Sequence, residues 1–118
     1  MTVRDWHIGP LSELAPDAAR EFQVGEGDWP TRGFVVHSDG RVYAYRNRCP
    51  HAGHPLNLSP TGFFAPAGDT LICASHGAEF LPASGLCVAG PCVGAALEVL
   101  PCRVDGGEIW VTAPASER

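Results

Sequence analysis

The sequence predicts an all-β fold, an antiparallel sandwich or barrel, and three observations carry the class. Glycine (14) and proline (11) are abundant in the 118 residues and spread along the chain, which suits loops between strands better than a helical bundle. Two hairpin signals stand far apart, at Ser38-Asp39-Gly40 and at Asp105-Gly106-Gly107, each between β-branched or aromatic runs. No segment holds a sustained helical period; Leu11 to Arg20 offers at most a turn or two of helix.

In chain order, Trp6-His7-Ile8 and Glu21-Phe22-Gln23-Val24 read as short strands on either side of that turn. Phe34 to His37 and Arg41 to Tyr45 form the first hairpin. Thr70 to Cys73 and Gly85 to Ala89 are further strands, and Leu97 to Val104 pairs with Glu108 to Thr112 in a closing hairpin. The tail from Ala113 is expected to fray. Between the first hairpin and Thr70, residues Asn47 to Asp69 show little periodicity, and their apolar content is too thin to organise them alone. A loop of that length inside a compact domain is ordinarily functional.

The length fits a single domain, 1–118, with 45% apolar residues to fill a core and only 18% charged. The net charge of −5 comes with no basic stripe, so nucleic acid is not an expected partner. No apolar run has signal-peptide or membrane-spanning length, which points to no membrane partner and a cytoplasmic protein. Five cysteines in such a chain read as ligands or small core residues rather than a disulfide framework.

The chemistry gathers at the ends of the long loop. Cys49-Pro50-His51 opens it and Cys73-Ala74-Ser75-His76 closes it, with 21 residues between His51 and Cys73. Thiolate plus imidazole selects zinc or an iron–sulfur centre over magnesium or calcium. A Cys and a His two apart on an extended loop diverge, so they serve two adjacent metals more easily than one. A [2Fe–2S] cluster with imidazoles on one iron takes such a set, each loop giving a thiolate to one iron and an imidazole to the other. Two other readings stand beside it. One takes Cys49 and Cys73 as buried small apolar residues. The other builds a zinc site from Cys73, His76, Cys87 and Cys92, whose spacing is tolerable but leaves Cys49 and His51 unexplained.

The run Cys49-x-His51 … Cys73-x-x-His76-Gly77, followed by Phe80, Ser84-Gly85 and Gly90-Pro91, resembles the Rieske [2Fe–2S] proteins over about Arg41 to Val111. It is most similar to the small ferredoxin-type members that feed electrons to oxygenases. The resemblance implies a Rieske-like antiparallel β sandwich or barrel with an inserted cluster-binding subdomain of about residues 47–92. It implies one cluster per chain, with Cys49 and Cys73 on the inner iron and His51 and His76 on the outer. It also implies that Gly90-Pro91 is the family's proline loop over the cluster. Two thiolates leave the oxidised cluster neutral, so it accepts an electron more readily than an all-Cys cluster, at roughly −150 to +300 mV against about −400 mV. Retained imidazole N–H groups imply a midpoint that falls as pH rises.

Two departures from the pattern matter. The high-potential members bridge their loops with a disulfide, and the matching places hold His54 and Ser75, so a midpoint at the low end is expected. The spacing between loops is long, which assigns an insertion to Asn57 to Gly68. Ser75 is a candidate hydrogen-bond donor to the cluster; Ser75→Ala should lower the midpoint, and an unchanged value would return it to a plain solvent-facing serine. Cys87, Cys92 and Cys102 read as core residues on strands, His54 as an exposed loop residue, and Arg46 and Arg48 as either part of a docking rim or plain solvated arginines; no partner for His7 or His37 is visible in the sequence.

The resulting expectation is an electron carrier rather than an enzyme, with a reductase as donor and an oxygenase or related oxidoreductase as acceptor. No dinucleotide fingerprint or room for a mononuclear-iron domain is seen. The alternatives are the small electron-entry subunit of a nitrite-reductase-like enzyme and a zinc-stabilised interaction module.

Overall fold

The computed structural model describes residues 3–50, 53–57, 62–66 and 68–117. Among these residues ten strands make three antiparallel sheets, and the only helix is a 3-10 turn at Leu11–Glu13. Strands β1 (Val3–Pro10), β10 (Glu108–Pro114) and β9 (Cys102–Asp105) form the base sheet. The central sheet runs β2 (Ala18–Val24), β3 (Thr31–Ser38), β4 (Arg41–Arg46) and β8 (Val99–Leu100). A small third sheet runs β5 (Leu71–Ile72), β6 (Glu79–Phe80) and β7 (Cys87–Ala89).

The central sheet is buried on both faces, and strand alternation assigns each residue to one of them. Phe34, Val36 and Tyr45 face the third sheet and share a core with Leu56, Phe63, Leu71, Cys49, Cys73 and Cys87. Val35, Ala44 and Leu100 face the other way, onto Ile109, Val111 and Ala113 of the base sheet. A one-residue slip of β3 would exchange the two sets, so both cores fix the same register.

Both predicted hairpins close as two-residue turns. Ser38 pairs with Arg41, leaving Asp39 (φ +54°) and Gly40 (φ +76°), and Asp105 pairs with Glu108, leaving Gly106 (φ +60°) and Gly107 (φ +80°). Positive φ at both central positions is what the strand twist requires of such turns.

Three expectations need correction. Leu97 to Val104 is not one strand: Pro101 breaks it, and the chain passes from the central sheet at β8 to the base sheet at β9. Proline has no N–H to offer a ladder. The tail does not fray at Ala113, which is fully buried and accepts a hydrogen bond from Trp6 Nε1 at 2.9 Å. Beyond it, the Thr31 hydroxyl donates to Pro114 O, and Glu117 N–H donates to Trp29 O. The long loop is less apolar-poor than it reads, since Leu56, Phe63 and Ala65 are buried and Phe63 stacks on Phe34 at 4.4 Å. The structure also supplies the partners that the sequence does not show for His7 and His37, which are Glu108 Oε1 (2.7 Å) and Leu14 O (2.9 Å) respectively.

Tyr45 ties the central sheet to the third, its hydroxyl donating to Pro82 O at 2.6 Å. Burial raises its phenol above the ordinary value, with smaller contributions from Tyr43 and Cys102. A raised folded value means that the neutral phenol's contribution is complete below about pH 10, the unfolded value, and is lost as pH rises beyond it. Tyr45→Phe should therefore cost about 1 kcal/mol at neutral pH. Urea titrations of both proteins should show the gap narrowing above about pH 10.

Candidate metal centre

Cys49 and Cys73 each sit at the foot of a loop, and among the described residues the same two hydrogen bonds close both loops. In the first, Gly53 N–H donates to Cys49 O (2.7 Å) and Cys49 N–H to His54 O (2.7 Å). In the second, Gly77 N–H donates to Cys73 O (2.9 Å) and Cys73 N–H to Ala78 O (2.8 Å). Both glycines have φ +74°, a conformation that side chains other than glycine's resist. The loops are therefore matching turns, and a glycine four residues after each cysteine is the sequence signal for them. Ala74 N–H donates to Leu56 O at 2.9 Å and joins one turn to the other.

Both cysteines are completely buried, while His76 is exposed at the outer end of its loop. His51 lies outside the described residues. His54 is exposed, as expected, and its ring centroid stands 6.5 Å from that of His76. Ser75 is exposed beside His76. The zinc set finds no support: among the described residues, no three His, Cys, Asp or Glu side chains converge as ligands of one ion.

Asn47 braces the first loop, a role that the sequence does not reveal. It is buried, accepts from Leu56 N–H (2.9 Å) and donates to Asn57 Oδ1 (2.8 Å), and Asn57 in turn donates to Glu21 Oε2 (2.9 Å). Asn47→Ala leaves a buried N–H unpaired and should cost about 1–3 kcal/mol. A denaturant midpoint unchanged from wild type would show that Leu56 N–H finds another acceptor.

The turn after β7 covers the second loop. A Cβ at Gly90 (φ +91°) would lie 2.8 Å from Ala78 Cα, so the two backbones are in contact there. Cys92 follows in that turn, half-buried rather than on a strand, with its thiol 3.1 Å from the buried Cys87 Sγ. Burial, reinforced by Cys87 and by the nearby Cys49 and Cys73, raises the Cys92 thiol well above its usual value. Cys102 is also half-buried, and donates to Val42 O at 3.2 Å. Cys87 and Cys102 are strand residues packed in the two cores, as expected, Cys87 fully buried on β7 and Cys102 partly buried on β9; Cys92 alone lies off a strand. Arg46 is likewise held away from a rim, its Nε 3.3 Å from Glu98 Oε2, whereas Arg48 is exposed.

A family model for the Rieske [2Fe-2S] domain matches residues 6–104. The chain belongs to the Rieske family. Its fold agrees with a Rieske ferredoxin, that of carbazole 1,9a-dioxygenase from Nocardioides aromaticivorans IC177. That likeness has 28% identity over 93% of this chain and 97% of that one, at a TM-score of 0.69. A structure of the complex of reduced oxygenase and oxidized ferredoxin in carbazole 1,9a-dioxygenase shares the fold at 24% identity, over 97% and 96% of the chains, TM-score 0.70. The terminal oxygenase of carbazole 1,9a-dioxygenase from Novosphingobium sp. KA1 shares it at 22% identity, over 97% of this chain and 31% of that one, TM-score 0.72. No curated protein sequence matches the chain.

The Rieske domain binds a [2Fe–2S] cluster, and its function is one-electron transfer. The residues present fit that group. Two buried thiols rise from matching turns, and an exposed imidazole stands on the solvent side, so a donor set of mixed softness spans from core to surface. No helix among the described residues is long and apolar enough to cross a membrane.

Proposed function

We propose that Cys49 and Cys73 hold the inner iron and His51 and His76 the outer iron, and that the chain serves as a cytoplasmic ferredoxin carrying single electrons from a reductase to a terminal oxygenase. The observation that carries the reading is the pair of matching Cys-based turns joined through Leu56 and Ala74. The cluster, when bound, takes up and gives back one electron. The protein's own part is to bury the thiols, which keeps water from the sulfur side, and to hold His76 at the surface where a partner approaches. Beside the first loop, Arg48, Arg32 and Trp29 line a hollow of about 350 Å³ together with Glu117, an edge with two cations to one carboxylate on an acidic protein. Complementary charge there would orient a partner and speed encounter.

Likeness to a dioxygenase ferredoxin over nearly the whole length of both chains supports an oxygenase as acceptor. Nothing in this reading asks the chain for a bond-making step, so it is proposed as a carrier and not an enzyme. Purification from native cells at native abundance tests it. A chain that elutes free, and once reduced is reoxidised by the cell's oxygenase fraction, fits the proposal. A stable stoichiometric complex with a large reductase subunit would assign it instead as an electron-entry subunit.

A further inference from the structure

The proposed cluster leaves two neighbouring thiols unused. Cys92 Sγ lies 3.1 Å from Cys87 Sγ, and the backbone sets this approach: Gly94 N–H donates to Cys87 O and Cys87 N–H to Ala95 O, folding the turn back over β7. Cys92 is partly buried against the core and Cys87 fully buried, so of the two thiols Cys92 is the nearer to solvent and Cys87 stands behind it. Between them, Gly90 at φ +91° and Pro91 form a turn that rests on the backbone of Ala78 in the second loop. Cys102, whose thiol bonds to Val42 O instead, is an internal comparison.

We propose that Cys87 and Cys92 form a reversible two-electron thiol–disulfide site beside the one-electron centre, with low-molecular-weight disulfides as its oxidants. Cys92, as thiolate, attacks one sulfur of R–S–S–R, forming a mixed disulfide and releasing the other half as a thiolate, which takes up the proton lost by Cys92. The Cys87 sulfur then displaces the second half, forming the Cys87–Cys92 bond and breaking the mixed disulfide; that RS⁻ takes up the Cys87 proton. The protein loses two electrons and two protons, and R–S–S–R becomes two R–SH. The sulfurs need to close from 3.1 Å to about 2.05 Å. Oxidation ties the turn that covers the second loop to β7, so thiol redox state is written onto the packing above Cys73.

The test uses the iron-loaded protein and oxidised glutathione in excess under anaerobic conditions, followed by acid quench, alkylation and peptide mass mapping. Incubation runs for hours, because a thiol held above its usual value attacks slowly. Wild type should lose two hydrogens in a Cys87–Cys92 disulfide, with iron content and visible spectrum unchanged. Cys87→Ala should accumulate a glutathione adduct at Cys92 that does not resolve, and Cys92→Ser should not react. Free alkylatable thiols at both positions in treated wild type would overturn the proposal. So would a lasting Cys92 adduct in wild type, or a bridge to Cys49, Cys73 or Cys102. Failure here leaves the cluster assignment standing, because iron is measured on the same sample.

Discussion

Cys73→Ser is expected to give a colourless protein with iron falling from two per chain to near none. Cys73 lies fully buried between β5 and β6, its backbone locked by Gly77 and Ala78, so no neighbouring thiol moves into its place without breaking that turn. A hydroxyl is a far harder and less acidic donor than a thiol, and the proposed ligand set would lose one of its two thiolates. Metal binding free energy is also folding free energy, so thermal stability should drop with the iron. Cys102→Ser is the control, since Cys102 sits at Val42 on the base side of the central sheet and should keep full iron. Iron retained by Cys73→Ser at wild-type level would remove Cys73 from the ligand set.

Gly90→Ala should weaken the second loop strongly without touching a ligand. The added Cβ would meet Ala78 Cα at 2.8 Å and Ala78 N and Gly77 O at 3.2 Å, all backbone atoms of the second loop that cannot step aside. Left-handed strain alone costs about 1–3 kcal/mol. Each kcal/mol corresponds to about 4 °C or more in a domain near this size, so a fall in Tm of roughly 10 °C is expected, with faster loss of iron on heating. Gly94→Ala separates the two causes, because Gly94 shares a positive φ (+95°) but has nothing within 4 Å of the added carbon. Thermal unfolding should place Gly94→Ala between wild type and Gly90→Ala. Equal shifts for the two variants would mean that the contact with Ala78 carries no weight.

Much of the fold is legible from local rules, and the candidate metal centre from two Cys/His motifs taken with the family they resemble. The Asp39-Gly40 turn and the alternating β10 are written in adjacent residues, and the two Cys/His loops stand out because ligand spacing is itself a local signal. What escapes the sequence depends on partners far along the chain. The tail beyond Ala113 reads as unattached because what holds it, Trp6, Trp29 and Thr31, lies more than 80 residues away. The two-residue strand β6 has no period to detect, and exists because Leu71 and Ile72 pair with it. Cys92 reads as one more apolar strand residue, whereas the positive φ of Gly90 turns the chain there and brings its sulfur back to Cys87. The first loop is marked in the sequence by Cys49 and His51. The structure describes Cys49 and its brace, Asn47, a contact no motif encodes.

An EPR spectrum of the freshly purified protein after dithionite reduction, with iron and zinc assayed on the same sample, decides whether the chain carries the cluster. A rhombic signal of low average g is expected, with two irons per chain and negligible zinc. An EPR-silent sample with one zinc per chain would contradict the electron carrier and leave the fold as a zinc-stabilised interaction module.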